Sequence, residues 1–191
     1  MKNKFVVLVG PPAIGKSTYT KKALSPLQPI VINRDEVVEQ LSNEKGLSYN
    51  EYYQRLGDPD LAELREQVEY TVQQQFKKAI ENKNNIVVDM THMNKNSRKR
   101  TLKYVTSNDY EKVAVVFKFD KRMIPNLQKI SENRTKELAQ TGKIKYIPDH
   151  VFHEMADRFE PVDNEEGFDT IVHVDDSDRI YNTIYKSSEN S

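Results

Sequence analysis

The chain has 191 residues, and its 29 Lys and Arg are balanced by 29 Asp and Glu, so the formal net charge is zero. This length predicts a single domain, residues 1–191, without room for a second catalytic module. A zero balance excludes a global field that draws the protein to nucleic acid or acidic lipid. The absence of cysteine excludes a disulfide scaffold and a thiol nucleophile. No apolar run reaches the ~18 residues of a membrane helix, and the first residues lack the apolar stretch of a signal peptide. We therefore expect a cytoplasmic protein with no membrane partner.

Short apolar runs alternate with longer polar segments of helical pattern. The runs are typical of buried parallel strands and cover residues 5–9, 29–32, 86–88, 113–119 and 170–174. Helices are predicted over 16–24, 61–81, 97–105 (with Ser97 as N-cap), 125–140 and 148–159. Two polar segments, 43–59 and 141–146, are expected to run over the carboxyl edge of the sheet, and the tail 186–191 to be frayed. The alternation predicts a three-layer α/β fold around a central parallel sheet of about five strands.

Residues 10–17 read Gly-Pro-Pro-Ala-Ile-Gly-Lys-Ser and match the phosphate-loop pattern G-x-x-x-x-G-K-[ST] between a predicted strand and a predicted helix. The two glycines allow close approach of the backbone to a polyphosphate and unusual dihedral angles. The lysine is expected to neutralise the β and γ oxygens, and the serine hydroxyl to bind Mg²⁺. The residues expected to bind ATP are Gly10, Ala13, Ile14, Gly15, Lys16, Ser17 and Thr18. The pattern indicates nucleotide binding but does not separate kinases from GTPases and ATPases.

Polar side chains follow the second and third predicted strands, at the sheet edge where ligands bind in open parallel sheets. Asp35, within Asn33-Arg34-Asp35, is our candidate for the carboxylate that accepts the proton of an attacking hydroxyl. Its alternative role is to cap the helix that follows. Asp89 follows three apolar residues and resembles the acid that holds Mg²⁺ in phosphate-loop proteins, although a strand-end turn residue is the alternative. His92 at the same strand end could contact substrate or simply form part of the turn.

The next segment is basic and contains no acid. Its cations are Lys95, Arg98, Lys99, Arg100 and Lys103. In a helix that begins near Ser97, Lys99 and Lys103 share one face, and this face could hold a phosphodiester backbone. An ordinary solvated helix face is the alternative.

Further along, Arg134 lies on the predicted helix before residues 141–146. An arginine from a lid there could stabilise the charge of a transferring phosphate, or pair with Glu137 three residues later. Upstream, Tyr49, Tyr52 and Tyr53 could stack on bases, although packing of a lid or helix is the simpler account.

Together these motifs resemble the kinase domain of the 5′-hydroxyl polynucleotide kinases, found in bacteriophages and in animal DNA-repair kinase-phosphatases. Asn33-Arg34-Asp35 resembles the acceptor-side motif of that family, and Asn133-Arg134 its lid arginine motif. Residues 89–92 resemble its D-x-T-N segment, with His92 in place of the usual Asn. Residues 148–161 and Glu166-Gly167-Phe168 resemble the ending of the animal enzymes. The resemblance runs from about residue 5 to about residue 174.

The resemblance implies a three-layer P-loop kinase fold with a small helical lid at roughly 125–147. It implies that Lys16 and Ser17 bind ATP·Mg²⁺, and the strand-end position of Asp89 adds this residue to Ser17 as an expected metal-side ligand. It also implies that Asp35 is the general base on a 5′-hydroxyl of DNA or RNA, and that Arg134 stabilises the migrating phosphoryl group. The residues expected near the acceptor are Arg34, Asp35, Asp89, Thr91, His92 and Arg98.

Two departures from the phage pattern bear on the acceptor. Val37 and Val38 occupy the stretch in which phage members carry an arginine that grips the acceptor phosphate, and Ile130 and Ser131 replace an Arg-Asn pair ahead of the lid arginine. The phosphatase module is absent, since no D-x-D-G-T occurs. The alternatives are a DNA kinase acting on a hydroxymethyl-pyrimidine base, a small-molecule kinase for a nucleoside, sugar or antibiotic, and a nucleotide-dependent switch protein without phosphotransfer.

Overall fold

A computed structural model of the chain describes residues 2–106, 108–142 and 145–174. It contains one five-stranded sheet, in which every paired strand is parallel and the order is β2-β3-β1-β4-β5. The strands are β1 (Asn3–Val9), β2 (Ile30–Ile32), β3 (Ile86–Val88), β4 (Tyr110–Phe117) and β5 (Thr170–Val174). The predicted parallel sheet of about five strands is therefore confirmed. The fourth strand begins three residues earlier and ends two residues earlier than the sequence predicts.

Seven α-helices connect the described strands. They are α1 (Lys16–Tyr19, continued by a π-helical turn Thr20–Leu24), α2 (Arg34–Glu44), α3 (Tyr49–Gln54), α4 (Ala62–Glu81), α5 (Lys95–Leu102), α6 (Ile124–Ala139) and α7 (Asp149–Asp157). Segment 43–59, expected to run over the carboxyl edge of the sheet, contains the end of α2 and all of α3. The predicted cap of α5 is wrong, because the side chain of Asn94 accepts from the N–H of Ser97 and caps this helix three residues earlier. The tail 186–191 and two residues of segment 141–146 lie outside the described residues.

Helices cover both faces of the sheet because alternate side chains of β1 point to opposite sides. Phe5, Val7 and Val9 pack with apolar residues of α2 and α4, whereas Val6 and Leu8 pack with α1. All five side chains are buried, as expected of a strand buried on both faces. The predicted three-layer α/β architecture is confirmed.

A third apolar cluster lies beside the phosphate loop. Ile124 and Leu127 of α6 pack with Phe152 and Ala156 of α7, and Ile14 contacts this cluster. The helices that follow β4 are therefore packed directly against the phosphate loop. Within the described part of the chain, no helix is long and apolar enough to cross a membrane.

Candidate active site

The phosphate loop joins β1 to α1, and it depends on glycine at two positions for different reasons. A Cβ on Gly10 would lie 3.0 Å from Cγ2 of Ile14 and 3.1 Å from Cβ of Phe117, so a larger residue would force these neighbours apart. Gly15 has a φ of +106°, a conformation that side chains rarely tolerate. Ala13 also adopts a positive φ of 63°. The N–H of Gly10 donates to the carbonyl of Thr91 over 2.9 Å, which ties the loop to the segment after β3.

Lys16 opens α1 and folds back over the loop. Its ammonium donates to the carbonyls of Gly10 and Pro11 over 2.9 and 2.8 Å. Burial lowers the pKa of Lys16 to about 8, the charge of Arg134 adds to this lowering, and the carboxylates of Asp89 and Asp35 oppose it. The charge of Lys16 therefore interacts with the charges of Asp89, Asp35 and Arg134.

Ser17 and Asp89 meet at the carboxyl edge of the sheet, where the serine hydroxyl donates to Oδ2 of Asp89 over 3.0 Å. Hydroxyl and carboxylate oxygens are ligands that Mg²⁺ accepts, and this ion commonly takes only one or two protein ligands besides water and substrate phosphates. No group of three or more His, Cys, Asp or Glu that could hold a metal occurs among the described residues. The pair therefore fits Mg²⁺ held jointly with a nucleotide rather than an all-protein metal cage. Thr18, the next loop residue, is exposed on the first turn of α1.

Asp35 lies in the first turn of α2, and the helix cap is a different residue. The side chain of Asn33 accepts from the N–H of Asp35 over 2.9 Å. The alternative reading of Asp35 as a cap is therefore wrong, and its carboxylate is available for other contacts. Its side chain is 41% exposed.

The guanidinium of Arg34 contacts other side chains of the protein. Its Nε donates to Oε1 of Glu69 on α4 over 2.9 Å. Its two terminal nitrogens contact the hydroxyls of Tyr53 and Tyr52 at 3.1 and 3.4 Å. These three contacts join Arg34 to side chains of α3 and α4.

The segment after α6 reaches the same carboxylate. Lys145 brings its Nζ to 3.8 Å from Oδ2 of Asp35 and to 4.7 Å from the centre of the Tyr49 ring. The carbonyl of Lys145 accepts from the hydroxyl of Thr135 on α6 over 2.8 Å. Arg134, the residue before Thr135, is exposed, and its charge reaches Lys16. One turn of α6 thus carries both the charge of Arg134, which acts on Lys16, and the hydroxyl of Thr135, which binds the segment beside Asp35.

His92 and Arg98, both expected near the acceptor, are buried and bound to other parts of the protein. His92 is 3% exposed; its Nδ1 contacts the carbonyl of Leu8 at 3.0 Å and its Nε2 contacts the hydroxyl of Thr101 at 2.9 Å. Arg98 is fully buried and forms a bidentate pair with Glu166 at 2.6 and 2.7 Å. The expectation that either side chain meets substrate is wrong, because both ring nitrogens of His92 and the guanidinium of Arg98 bind other parts of the protein.

The rest of the basic run divides into two parts. Lys95 pairs with Asp163, so its charge is neutralised locally. The exposed residues Lys99, Arg100 and Lys103 line a shallow cleft together with Asn96, and none of these cations forms an ion pair with any residue the structure describes. The cationic surface is smaller than the sequence predicts, but three charges remain on one side of α5. We call Asn96, Lys99, Arg100 and Lys103 the α5 basic face.

The sequence reading missed the residues that surround Asp35. Tyr53 and Lys145 contact its carboxylate, Glu69 holds Arg34, and Asn50 holds the backbone of Tyr146. The spacing of Ser48 and Glu51, which form a capping box at the start of α3, is a signal for this helix. Nothing local in the sequence indicates Lys145, because its position depends on contacts with α3 and α6.

Comparisons with known proteins identify a family and a fold. The family described as an AAA domain matches residues 5–162. A protein of Chloroflexus aurantiacus assigned as a kinase superposes with a TM-score of 0.66 at 14% identity, covering 98% of this chain and 97% of that one. Shikimate kinase from Aquifex aeolicus gives a TM-score of 0.50 at 16% identity, with 96% and 95% covered. Gluconokinase from Sinorhizobium meliloti gives 0.50 at 13%, with 96% and 89% covered. No curated protein matches by sequence. At these identities the solved structures establish the fold alone, an α/β P-loop kinase fold.

Proposed function

Because the chain belongs to the AAA domain family and has a P-loop kinase fold, we propose that it transfers the γ-phosphate of ATP to the 5′-hydroxyl end of DNA or RNA. The observation that carries phosphotransfer is the pairing of a phosphate loop with Asp35. This carboxylate is free of helix capping, partly exposed and close enough to influence Lys16. A protein that only bound or switched on nucleotide would have no use for a base in that position.

The proposed chemistry is an in-line displacement. Lys16 exchanges its contacts with the loop carbonyls for the β and γ oxygens of ATP. Asp35 accepts the proton of the acceptor hydroxyl as its oxygen bonds to the γ-phosphorus, and the bond from that phosphorus to the β-bridging oxygen breaks to release ADP. Arg134 meets the charge that develops on the transferring group. Ser17 and Asp89 would hold Mg²⁺, which supplies neutralisation of phosphate charge when bound.

Support for a polymeric acceptor comes from the α5 basic face and from the ordered set of motifs around Asp35 and Arg134. The three cations of that face are exposed and unpaired among the described residues, so they are available to phosphodiesters. We further propose that segment 125–147 acts as a lid. The charge of Arg134 at Lys16 and the contact of Lys145 with Asp35 support this role.

A small-molecule acceptor is the second candidate. Its support is the zero net charge of the chain and a fold shared with gluconokinase and shikimate kinase, whose names indicate small acceptors. A hydroxymethyl-pyrimidine base in DNA is a third acceptor with the same chemistry.

One assay distinguishes these functions. The protein is incubated with γ-labelled ATP and Mg²⁺ and, in separate reactions, with oligonucleotides carrying a 5′-hydroxyl, a 5′-phosphate or an internal hydroxymethyl-uracil, and with free nucleosides, gluconate and shikimate. We expect label only on the 5′-hydroxyl oligonucleotide. Label on the internal base or on a small molecule would replace the proposed acceptor, and nucleotide binding without any transfer would leave a switch protein.

Asp35→Asn supplies the matched control for chemistry. Asparagine preserves the size of the side chain but cannot accept the proton, and a general base contributes roughly 10²- to 10⁴-fold. We expect transfer to slow at least ~10²-fold while ATP binding and melting temperature stay close to those of the wild type. Near-normal turnover would move the search for the base to Asp89.

A further inference from the structure

A chain of hydrogen bonds runs from α4 to the carboxylate of Asp35. Glu69 accepts from Nε of Arg34 over 2.9 Å, and Nη1 of Arg34 donates to the hydroxyl of Tyr53 over 3.1 Å. The hydroxyl of Tyr53 in turn donates to Oδ1 of Asp35 over 2.9 Å. We call Glu69, Arg34, Tyr53 and Asp35 the acceptor relay. Arg34 and Tyr53 each have a partner on both sides, and the relay ends at Glu69 and at Asp35.

The direction of the relay is fixed by the chemistry of its members. An arginine only donates, so the hydroxyl of Tyr53 must accept from Arg34 and use its single proton toward Asp35. Burial raises the pKa of Tyr53, and the charge of Asp35 raises it further, against the lowering effect of Arg34. Tyr53 therefore keeps its proton and remains a donor throughout the neutral range.

The two oxygens of Asp35 are consequently inequivalent. Oδ1 is occupied by the hydroxyl of Tyr53. Oδ2 lies 3.8 Å from Nζ of Lys145, beyond hydrogen-bond distance. Burial raises the pKa of Tyr49 and the nearby Asp35 carboxylate raises it further, but the side-chain hydrogen bond of ordinary length that Asp35 accepts within the described part of the chain goes to Oδ1, from Tyr53. Oδ2 is therefore the oxygen that an incoming hydroxyl can reach.

We propose that Tyr53 is a positioning residue, which fixes Oδ1 of Asp35 so that Oδ2 is the oxygen that takes the acceptor proton. The inference rests on the proposed function of Asp35. It assigns Tyr53, held by Arg34 and Glu69, the task of limiting the rotation of a carboxylate that is partly exposed and would otherwise sample several orientations. Arg34 acts on the acceptor through this relay instead of touching it.

Tyr53→Phe tests the proposal, with Tyr52→Phe as the matched control. Both changes remove only a hydroxyl, and both hydroxyls contact Arg34, but no hydrogen bond joins Tyr52 to Asp35. We expect Tyr53→Phe to lower kcat for phosphate transfer about 10-fold or more, with the KM for ATP and the melting temperature changed little. Tyr52→Phe should keep kcat within about 3-fold of the wild type. Equal losses of kcat in the two variants would overturn the proposal. A loss of kcat in Tyr53→Phe that is accompanied by a matching drop in melting temperature would also overturn it.

A double-mutant cycle gives a readout that a structural role would not move. If Tyr53 acts through Asp35, Tyr53→Phe should change the residual rate less than about 2-fold in the Asp35→Asn background, because the base it orients is gone. An undiminished 10-fold loss in that background would show that Tyr53 acts independently and would overturn the inference. Full activity of Asp35→Asn by itself would instead overturn the proposed function of Asp35. The two failures are therefore distinguishable.

Discussion

Asn50 pairs with the backbone of Tyr146 as another strand would: its Nδ2 donates to the carbonyl over 2.7 Å, and its Oδ1 accepts from the N–H over 2.9 Å. The two residues are 96 positions apart in the chain. On the other side, Thr135 binds the carbonyl of Lys145. Two consecutive backbone units are thus fixed between α3 and α6, and this clamp sets the position of the lysine beside Asp35.

Asn50→Ala is expected to loosen that clamp without unfolding the protein, because Asn50 lies at the surface and its contacts are exposed. Each lost hydrogen bond is worth about 1 kcal/mol, so kcat/KM for the acceptor should fall by up to about 30-fold. The KM for ATP should stay constant. Steady-state kinetics with the acceptor varied provide the measurement, and Asn126→Ala, an exposed change on α6, is the control. Equal kinetics of the two variants would contradict a role for the clamp.

Lys16 predicts a pH dependence of nucleotide binding. Burial lowers its pKa to about 8 in the free protein, so the ammonium loses its proton as the pH rises through that value. The affinity for ATP should therefore decline above pH 8, and calorimetric titration between pH 7 and 9.5 measures it. Lys16→Met, which has no charge to lose, should bind weakly with a flat profile over the same range. A wild-type affinity that stayed constant to pH 9.5 would contradict this expectation.

The lowered pKa of Lys16 has the opposite effect on the stability of the fold: stability should rise with pH where ATP affinity falls. The unfolded chain holds a proton on Lys16 up to pH about 10.5, the folded chain only up to about 8. Stability linked to this residue should therefore rise between pH 8 and 10.5, because the folded state no longer buries a cation there.

His92 predicts acid sensitivity of the fold. Burial lowers its pKa from 6.5 to about 4, although the carbonyl of Leu8 opposes this shift. Below pH 6.5 the unfolded chain takes up a proton that the folded chain refuses, so stability should fall as the pH decreases from 6.5 toward 4. The loss is on the order of 3 kcal/mol at most. Thermal melts across this range should show a shallower slope for His92→Gln than for the wild type and for the control His150→Gln, an exposed site.

The α5 basic face predicts salt-dependent binding of an oligonucleotide. Each phosphate contact with a single strand contributes roughly −0.7 to the slope of log affinity against log salt. The double change Lys99→Gln and Lys103→Gln should therefore flatten that slope by roughly 1.4 while ATP affinity is preserved. The exposed pair Lys21→Gln and Lys22→Gln controls for net charge. If both double variants shift the slope equally, the α5 basic face is an ordinary solvated surface.

The strands and the phosphate loop could be predicted from the sequence because their signals are local. Continuous apolar runs mark strands buried on both faces, and the spacing of Gly15, Lys16 and Ser17 reflects the loop's own chemistry. The first turn of α5 shows the limit of local reading, since Asn94 and Ser97 both suit a cap and only the backbone path selects Asn94.

The surroundings of Asp35 could not be predicted in the same way. Lys145 reaches this carboxylate from 110 positions away in the chain, through contacts that no spacing encodes. The burial of Arg98 could not be predicted either, because a basic residue in a charged run is usually exposed. Its carboxylate partner, Glu166, lies 68 positions further along the chain. The extent of the lid, residues 125–147, stays a prediction.

The buried pair of Arg98 and Glu166 determines where the chain can be shortened. The family match ends at residue 162, four positions before the glutamate. A protein cut at that boundary would keep every phosphate-loop residue and Asp35, yet it would leave a guanidinium with no exposed surface without its carboxylate partner. Removing one member of a buried ion pair costs about 3–5 kcal/mol, a large fraction of the stability of a typical domain. The family boundary and the folding boundary of this protein therefore differ, and β5 with the turn before it belongs to the minimal folding unit.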